Sequence, residues 1–223
     1  MDRSLDLSVE DRFSDAEMID READHLNRIV TNLLDLSRVE AGALRVDLDA
    51  CDLADLVQTA VARVRRRIGD RKLDVDLDEA PPVEVDPALF DQVTVNLLEN
   101  VAKYAAADAR VRISADATAD GASVTLTVED SGPGVPASAL PRLFDKFYRV
   151  PGRPAGSRSG TGVGLAVVRG LVEAMGGTVA ARASQLGGLA IDIVLTAAPA
   201  GGATAPTGAG SVERGPATVE RRR

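Results

Sequence analysis

Asp91–Tyr104 reads DQVTVNLLENVAKY, and three of its polar residues, Asn96, Asn100 and Lys103, recur at offsets of four and three. On a helix that spacing places them on one face. The apolar residues Val93, Val95, Leu97, Leu98 and Val101 are too dense for a one-sided surface helix and fit one half sunk in a core. Two amides and an ammonium are costly to bury idly there. Amide oxygens ligate hard cations such as Mg²⁺, and a lysine meets phosphate. The helix is therefore expected to form one wall of a Mg-nucleotide site.

Two glycine-rich segments could supply the other walls. Asp130-Ser131-Gly132-Pro133-Gly134 follows directly on an alternating strand pattern. A carboxylate at a strand end can accept a hydrogen bond from an exocyclic amine, and the glycines let a flat ligand lie against the backbone. Taken alone, this reads as an ordinary Asp-Gly turn. Gly160-Thr161-Gly162-Val163-Gly164 opens a helix, whose first N–H groups suit an anion such as a phosphate. It is not a Walker A loop, because Leu165 and Ala166 stand where Lys-Ser/Thr belongs, and it follows no strand of a βαβ unit.

The elements that must position these residues can be read in order. Ser14 to about Val39 is a helix of about 39 Å, with Ser14 and Glu17 as a capping box and Ala41-Gly42 as its stop. Its apolar stripe (Met18, Ile19, Leu26, Ile29, Val30, Leu33, Leu34, Leu36) is wide enough to need a partner helix. Leu44–Asp49 alternates like a strand. Asp52 caps a helix over Leu53–Ile68, whose basic run Arg63–Arg67 reads as a solvated face. Lys72–Leu77 is a strand with Leu73, Val75 and Leu77 inward, and Val83–Val85 a short one. Asp86-Pro87 starts the central helix. Arg110–Ala115 and Ser123–Glu129 form a hairpin about Ala119-Asp120-Gly121. Val163–Met175 is a helix ended by Gly176-Gly177, and Thr178–Ala183 and Leu189–Thr196 are strands around Gly187-Gly188. The expected fold is α+β, a two-layer α/β sandwich in which a mixed sheet of about five strands is covered by three helices, preceded by a long helix.

Composition narrows the function classes. The chain has 223 residues, 45% hydrophobic but only 3% aromatic, so its core is built from Ala, Val and Leu. A net charge of -8 argues against nucleic acid or an anionic membrane as partner. The single cysteine, Cys51, allows no internal disulfide and no Cys-rich zinc site. No run approaches the ~18 apolar residues of a membrane span. The chain reads as cytoplasmic.

In this order, Asn96…Asn100…Lys103, Asp130-x-Gly132-x-Gly134 and Gly160-x-Gly162-x-Gly164 resemble the ATP-binding domain of bacterial sensor histidine kinases, in the group shared with gyrase and the Hsp90 chaperones. Phe144-Asp145-Lys146-Phe147-Tyr148-Arg149 is similar to the aromatic box between the family's two Gly motifs. Leu33–Gly42 resembles the end of the second helix of its dimerisation hairpin. The wording Asn96–Asn100 and the Gly176-Gly177 ending resemble the potassium-responsive members. The resemblance implies ATP and Mg²⁺ as cofactors. Asn100, with Asn96, would hold Mg²⁺. Lys103 and Tyr104 would lie near phosphates and ribose, and Asp130 would read the adenine amine. Gly132, Gly134, Gly160, Thr161, Gly162, Val163, Gly164 and Leu165 would shape the pocket and lid. Phe144 and Phe147 would anchor the lid, and Arg149 or Arg158 would approach the γ-phosphate. ATP-hydrolysing relatives carry Glu where Asn96 stands, so phosphoryl transfer to a partner is expected rather than hydrolysis.

The same resemblance sets the expected organisation: a remnant of the dimerisation hairpin over 1–43, the ATP-binding domain over 44–197 and a disordered tail over 198–223. Homodimerisation would run through residues 14–40. The family's phosphoacceptor histidine is followed by an acidic residue and soon by Pro. The one histidine here, His25, has Leu26 after it and lies on the second helix, so it is not expected to accept phosphate. The acceptor helix is then supplied by another chain, with relay to a response regulator, and the sequence reads as a C-terminal fragment or a truncated gene product, whose full-length parent the resemblance expects to be attached to a membrane. Two alternatives remain open: a catalytically silent dimerising fragment, and a serine kinase of the anti-sigma type.

Overall fold

The computed structural model describes residues 29–151 and 161–199, together with Ala23, Leu26 and Asn27. The expected cap Ser14-Glu17, His25, Arg158, Gly160 and the tail beyond Pro199 lie outside them. Helix α1 is described from 29 to 40. It stops where the sequence expects: Gly42 takes φ +61°, and Gly42 and Ala43 donate to the carbonyls of Val39 and Arg38, a Schellman ending.

Seven strands and three further helices follow: β1 (Asp49–Cys51), α2 (Leu53–Ile68), β2 (Lys72–Asp76), β3 (Val83–Val85), α3 (Pro87–Tyr104), β4 (Arg110–Ala117), β5 (Ser123–Asp130), α4 (Gly164–Ala174), β6 (Thr178–Ala183) and β7 (Leu189–Thr196). Five strands form a mixed sheet in the order β2-β4-β5-β7-β6. Only β2 and β4 run parallel; the remaining pairs are antiparallel. One face carries Val111, Ile113, Val124, Leu126, Val128, Ile191, Ile193 and Leu195, all buried in a single core with α2, α3 and α4. The other face carries charge: Arg112 bridges Asp74 and Glu129, and Arg182 pairs with Asp192.

Several local expectations are corrected. Residues 43–48 form no strand; the strand begins at Asp49 and pairs antiparallel with β3. Leu44 and Val46 do pack on the core, so the alternation marks a half-buried connection with no neighbouring ladder to join. Val75 does not point inward but is 39% exposed, because β2 is an edge strand. Within the basic run, Arg65 and Arg66 are solvated as expected. Arg63 and Arg67 instead reach across to Asp91 and Glu99 of α3. The glycine-rich connection after β5 is not structureless throughout, since Ala137–Arg142 forms a short 3-10 helix.

Candidate nucleotide site

Helix α3 is fixed first. Asp86 accepts from the backbone N–H groups of Ala88 and Leu89, with Pro87 in the first turn. Phe90, Val93, Thr94, Leu97, Leu98, Val101 and Ala102 are buried. That burial leaves Asn96, Asn100 and Lys103 half-buried along one side. Gly164, at the start of α4, lies against them: a Cβ there would stand 3.4 Å from Asn96 Oδ1 and 4.0 Å from Asn100 Nδ2. The central helix and the second glycine motif therefore meet, as their spacing alone could not establish.

Asn96 donates to the Gln92 carbonyl at 2.9 Å, and its Oδ1 accepts from Asn32 Nδ2 of α1 at 3.3 Å. Asn100 Nδ2 is buried without a hydrogen-bond partner among the described residues. Such an orphaned amide is costly unless something absent completes it. A half-turn of the amide presents an oxygen instead, the donor a hard cation takes. Among the described residues no three His, Cys, Asp or Glu side chains cluster as metal ligands. A Mg²⁺ would then rest on amide oxygens together with phosphate oxygens, and the Asn100 environment fits that.

Lys103 supplies the positive charge. Burial pushes its ammonium below the ordinary lysine range, the Arg149 guanidinium pushes it further, and Glu99 partly opposes them. Two cations facing each other are the arrangement a polyphosphate relieves. Lys103 Nζ also sits 5.2 Å from the centre of the Tyr104 ring. At the start of α4, Val163 is the N-cap and, among the described residues, no side-chain hydrogen bond caps the helix. The first-turn N–H groups are thus available to an anion.

Asp130 ends β5. Alternation puts it on the same side as Val128, facing the helices, and Gly132 N–H donates to its Oδ1 at 2.7 Å. Gly132 approaches Ala105 at the end of α3, where an added Cβ would be 3.2 Å from the Ala105 Cα. The loop after β5 thus lies against the end of α3.

The aromatic box splits. Phe144 is buried, with the Arg169 guanidinium 5.8 Å from its ring centre. Phe147 is not: it is 64% exposed and has φ +61°. Its N–H donates to the Gly162 carbonyl at 3.0 Å. Gly162 has φ +72°, and a Cβ would stand 2.8 Å from the Phe147 carbonyl carbon, so only glycine fits there. Sequence reasoning missed Asn32 and Gly188, which touch Asn96 and Asp130 from elsewhere in the chain, and the buried Glu129, which Ser184 holds one residue before Asp130. No local pattern signalled them.

Comparison with known proteins gives the class: an ATP-binding domain. The profile of the family described as histidine kinase-, DNA gyrase B-, and HSP90-like ATPase matches residues 85–199. The chain belongs to this family, on its sensor-histidine-kinase branch. Sensor protein KdpD of Mycobacterium tuberculosis (strain ATCC 25618 / H37Rv) is 37% identical over 197 residues, covering 86% of this chain but 22% of that relative. The chain thus spans about a fifth of that relative's length. The mycobacterial sensor histidine kinase MprB superposes with a TM-score of 0.59 at 29% identity, over 67% of this chain and 98% of that one. Full-length ShkA in complex with AMPPNP gives 0.66 at 27% identity, over 86% and 40%. Among the described residues no helix is long and apolar enough to cross a membrane.

Proposed function

We propose that this chain binds Mg-ATP in the cleft between α3 and α4 and delivers the γ-phosphoryl group to a histidine on an acceptor helix of another chain, for relay to a response regulator. The observation that carries this reading is the half-buried row Asn96-Asn100-Lys103, whose two amides lie against Gly164 at the start of α4, with the Asn100 amide nitrogen buried and, among the described residues, unpartnered. Asn100, with Asn96 once Asn32 releases it, would hold Mg²⁺, which when bound neutralises charge on the phosphates. Lys103 and Arg149 hold the phosphates by charge, and the N–H groups of α4 orient them. Asp130 accepts from the adenine amine. Gly162, Thr161, Val163, Leu165 and Gly134 shape the cleft wall. Asn96 is a poor base, so water is not activated and transfer to a positioned imidazole is favoured.

Titration calorimetry with a non-hydrolysable ATP analogue and Mg²⁺ tests the reading. Asn100→Ala is expected to weaken binding about ten- to a hundredfold, the scale of a lost contact to a charged group. Unchanged binding would remove Asn100 from the site. With labelled ATP, the purified chain should label itself scarcely, and an added kinase acceptor hairpin should become labelled. Acid-labile phosphate on the chain itself, lost in His25→Gln, would overturn the assignment of the acceptor to another chain.

A second reading is favoured by α1. Leu26, Val30, Leu33 and Leu34 are 60%, 54%, 40% and 53% exposed along it. Such a face pairs with a second copy or with an intact kinase, making the chain a dimerising regulator in which ATP binding is secondary.

A further inference from the structure

The turn joining β6 to β7 lies beside the end of β5, which pairs with β7, and takes hold of it. Alternation along β5 sends Val124, Leu126 and Val128 to the core and Glu129 to the outer, charged face. A carboxylate there would ordinarily be solvated, yet Glu129 is only 4% exposed. Ser184 Oγ donates to its Oε2 at 2.8 Å and Gln185 N–H donates to the same oxygen at 3.2 Å. Arg112 stands 3.7 Å from Oε1. A buried carboxylate is tolerated only with such partners, and two of the three come from this one turn.

The same turn grips the next residue. Gly188 N–H donates to the Asp130 carbonyl at 3.1 Å. A Cβ on Gly188 would fall 2.2 Å from Asp130 Oδ1 and 2.6 Å from Gly132 N. Both are far inside contact distance, so the turn backbone lies directly against the Asp130 carboxylate and the Gly132 N–H that orients it. Gly134 is held from the same side, with the Gly188 carbonyl 3.2 Å from where its Cβ would be.

We infer that the Ser184–Gly188 turn, anchored through Glu129, is the positioning element for Asp130, and that it sets how strictly the site distinguishes adenine from a base with a carbonyl at the same ring position. The inference rests on reading Asp130 as the adenine contact. A carboxylate held in one orientation accepts from the amine of ATP and repels the carbonyl of ITP. A carboxylate free to swing loses that discrimination before it loses nucleotide binding.

The test is the ratio of ITP to ATP dissociation constants, by calorimetry with Mg²⁺, alongside the melting temperature of each variant. Ser184→Ala and Glu129→Gln are expected to lower the ratio about two- to tenfold, the scale of one hydrogen bond, with Ser184→Thr restoring it. Gly188→Ala should lower it further. A purely structural role would lower the melting temperature and weaken both nucleotides together, leaving the ratio unchanged. Asp130→Asn separates the two layers of the argument. A collapsed ratio in Asp130→Asn with intact ratios in Ser184→Ala and Glu129→Gln overturns the positioning role alone. An intact ratio in Asp130→Asn overturns the reading of Asp130 and this inference with it.

Discussion

Helices α1 and α2 both pack on α3, and they do so in opposite ways. On α2, Leu53, Val57, Ala60, Val64 and Ile68 are buried. Arg63 and Arg67 pair with Asp91 and Glu99, each at 2.5 Å. Just beyond α2, Arg71 donates to the carbonyls of Ile68, Ala102 and Ala105, closing the ends of both helices. On α1 the contacts are fewer and more polar. Gln92 donates to Asp35 at 2.6 Å, and Asn32 to Asn96 at 3.3 Å. Leu36 is buried, Val39 rests on Gly170, and Glu40 pairs with Lys146 of the aromatic box. The two helices also touch different rows of α3. Helix α2 meets Asp91 and Glu99. Helix α1 meets Gln92 and Asn96, and that row continues directly into Asn100 and Lys103. One helix is a wall of the fold, while the other lies on the site's own row.

The largest difference should appear in stability. Ile68→Ala, in a fully packed position, is expected to cost about 2–5 kcal/mol, read by urea unfolding. Leu36→Ala on α1, 8% exposed, should cost about 1 kcal/mol or less, because Leu36 sits at the edge of the core on a helix whose other described leucines are exposed. Equal losses would mean that α1 belongs to the same cooperative unit and would erase the contrast.

A smaller pair of effects separates structure from site. Arg71→Ala leaves the carbonyls of Ala102 and Ala105 without their donor, expected to cost about 1–3 kcal/mol of stability. Asn32→Ala should barely move the unfolding midpoint. By freeing Asn96 Oδ1 it should tighten Mg-nucleotide binding about two- to fivefold, the scale of one modest hydrogen bond. Weaker binding would show that Asn32 supports the site instead of competing for it.

What was legible in the sequence follows the range of each interaction. Short-range signals were legible: the Asp52 and Asp86 caps, the Gly42 stop and the β4–β5 hairpin stand where local patterns put them. The row Asn96-Asn100-Lys103 was legible too, because helical spacing is a local rule. The edge position of β2 was not, since strand order is set by pairing between distant segments, and Val75 is exposed for that reason. The aromatic box illustrates the same limit. Phe144 and Phe147 look equivalent in sequence, yet the close approach of Gly162 turns Phe147 outward. Glu129 is the sharpest case: it lies on the opposite face of β5 from the core residues Val124, Leu126 and Val128, and a turn 55 residues further on covers it.

The smallest effect concerns the end of the row that α1 does not reach. Lys103 has a depressed pKa, from burial first and Arg149 second. Between that lowered value and the ordinary 10.5, the unfolded chain holds a proton on this amine that the folded one does not. Stability should therefore rise with pH across that window, and this component should vanish in Lys103→Met. A polyphosphate beside Lys103 reverses the bias by favouring the charged amine. Nucleotide binding should then take up a fraction of a proton at alkaline pH, and affinity should fall as pH rises through the depressed value. Calorimetry in two buffers of different ionisation enthalpy reads that uptake directly. If Lys103 faces the phosphates, uptake disappears in Lys103→Met and persists in Asn32→Ala, because the two residues act at opposite ends of the row. Uptake that survives Lys103→Met would place the phosphates elsewhere and leave the amide pair as the only part of the row that touches the nucleotide.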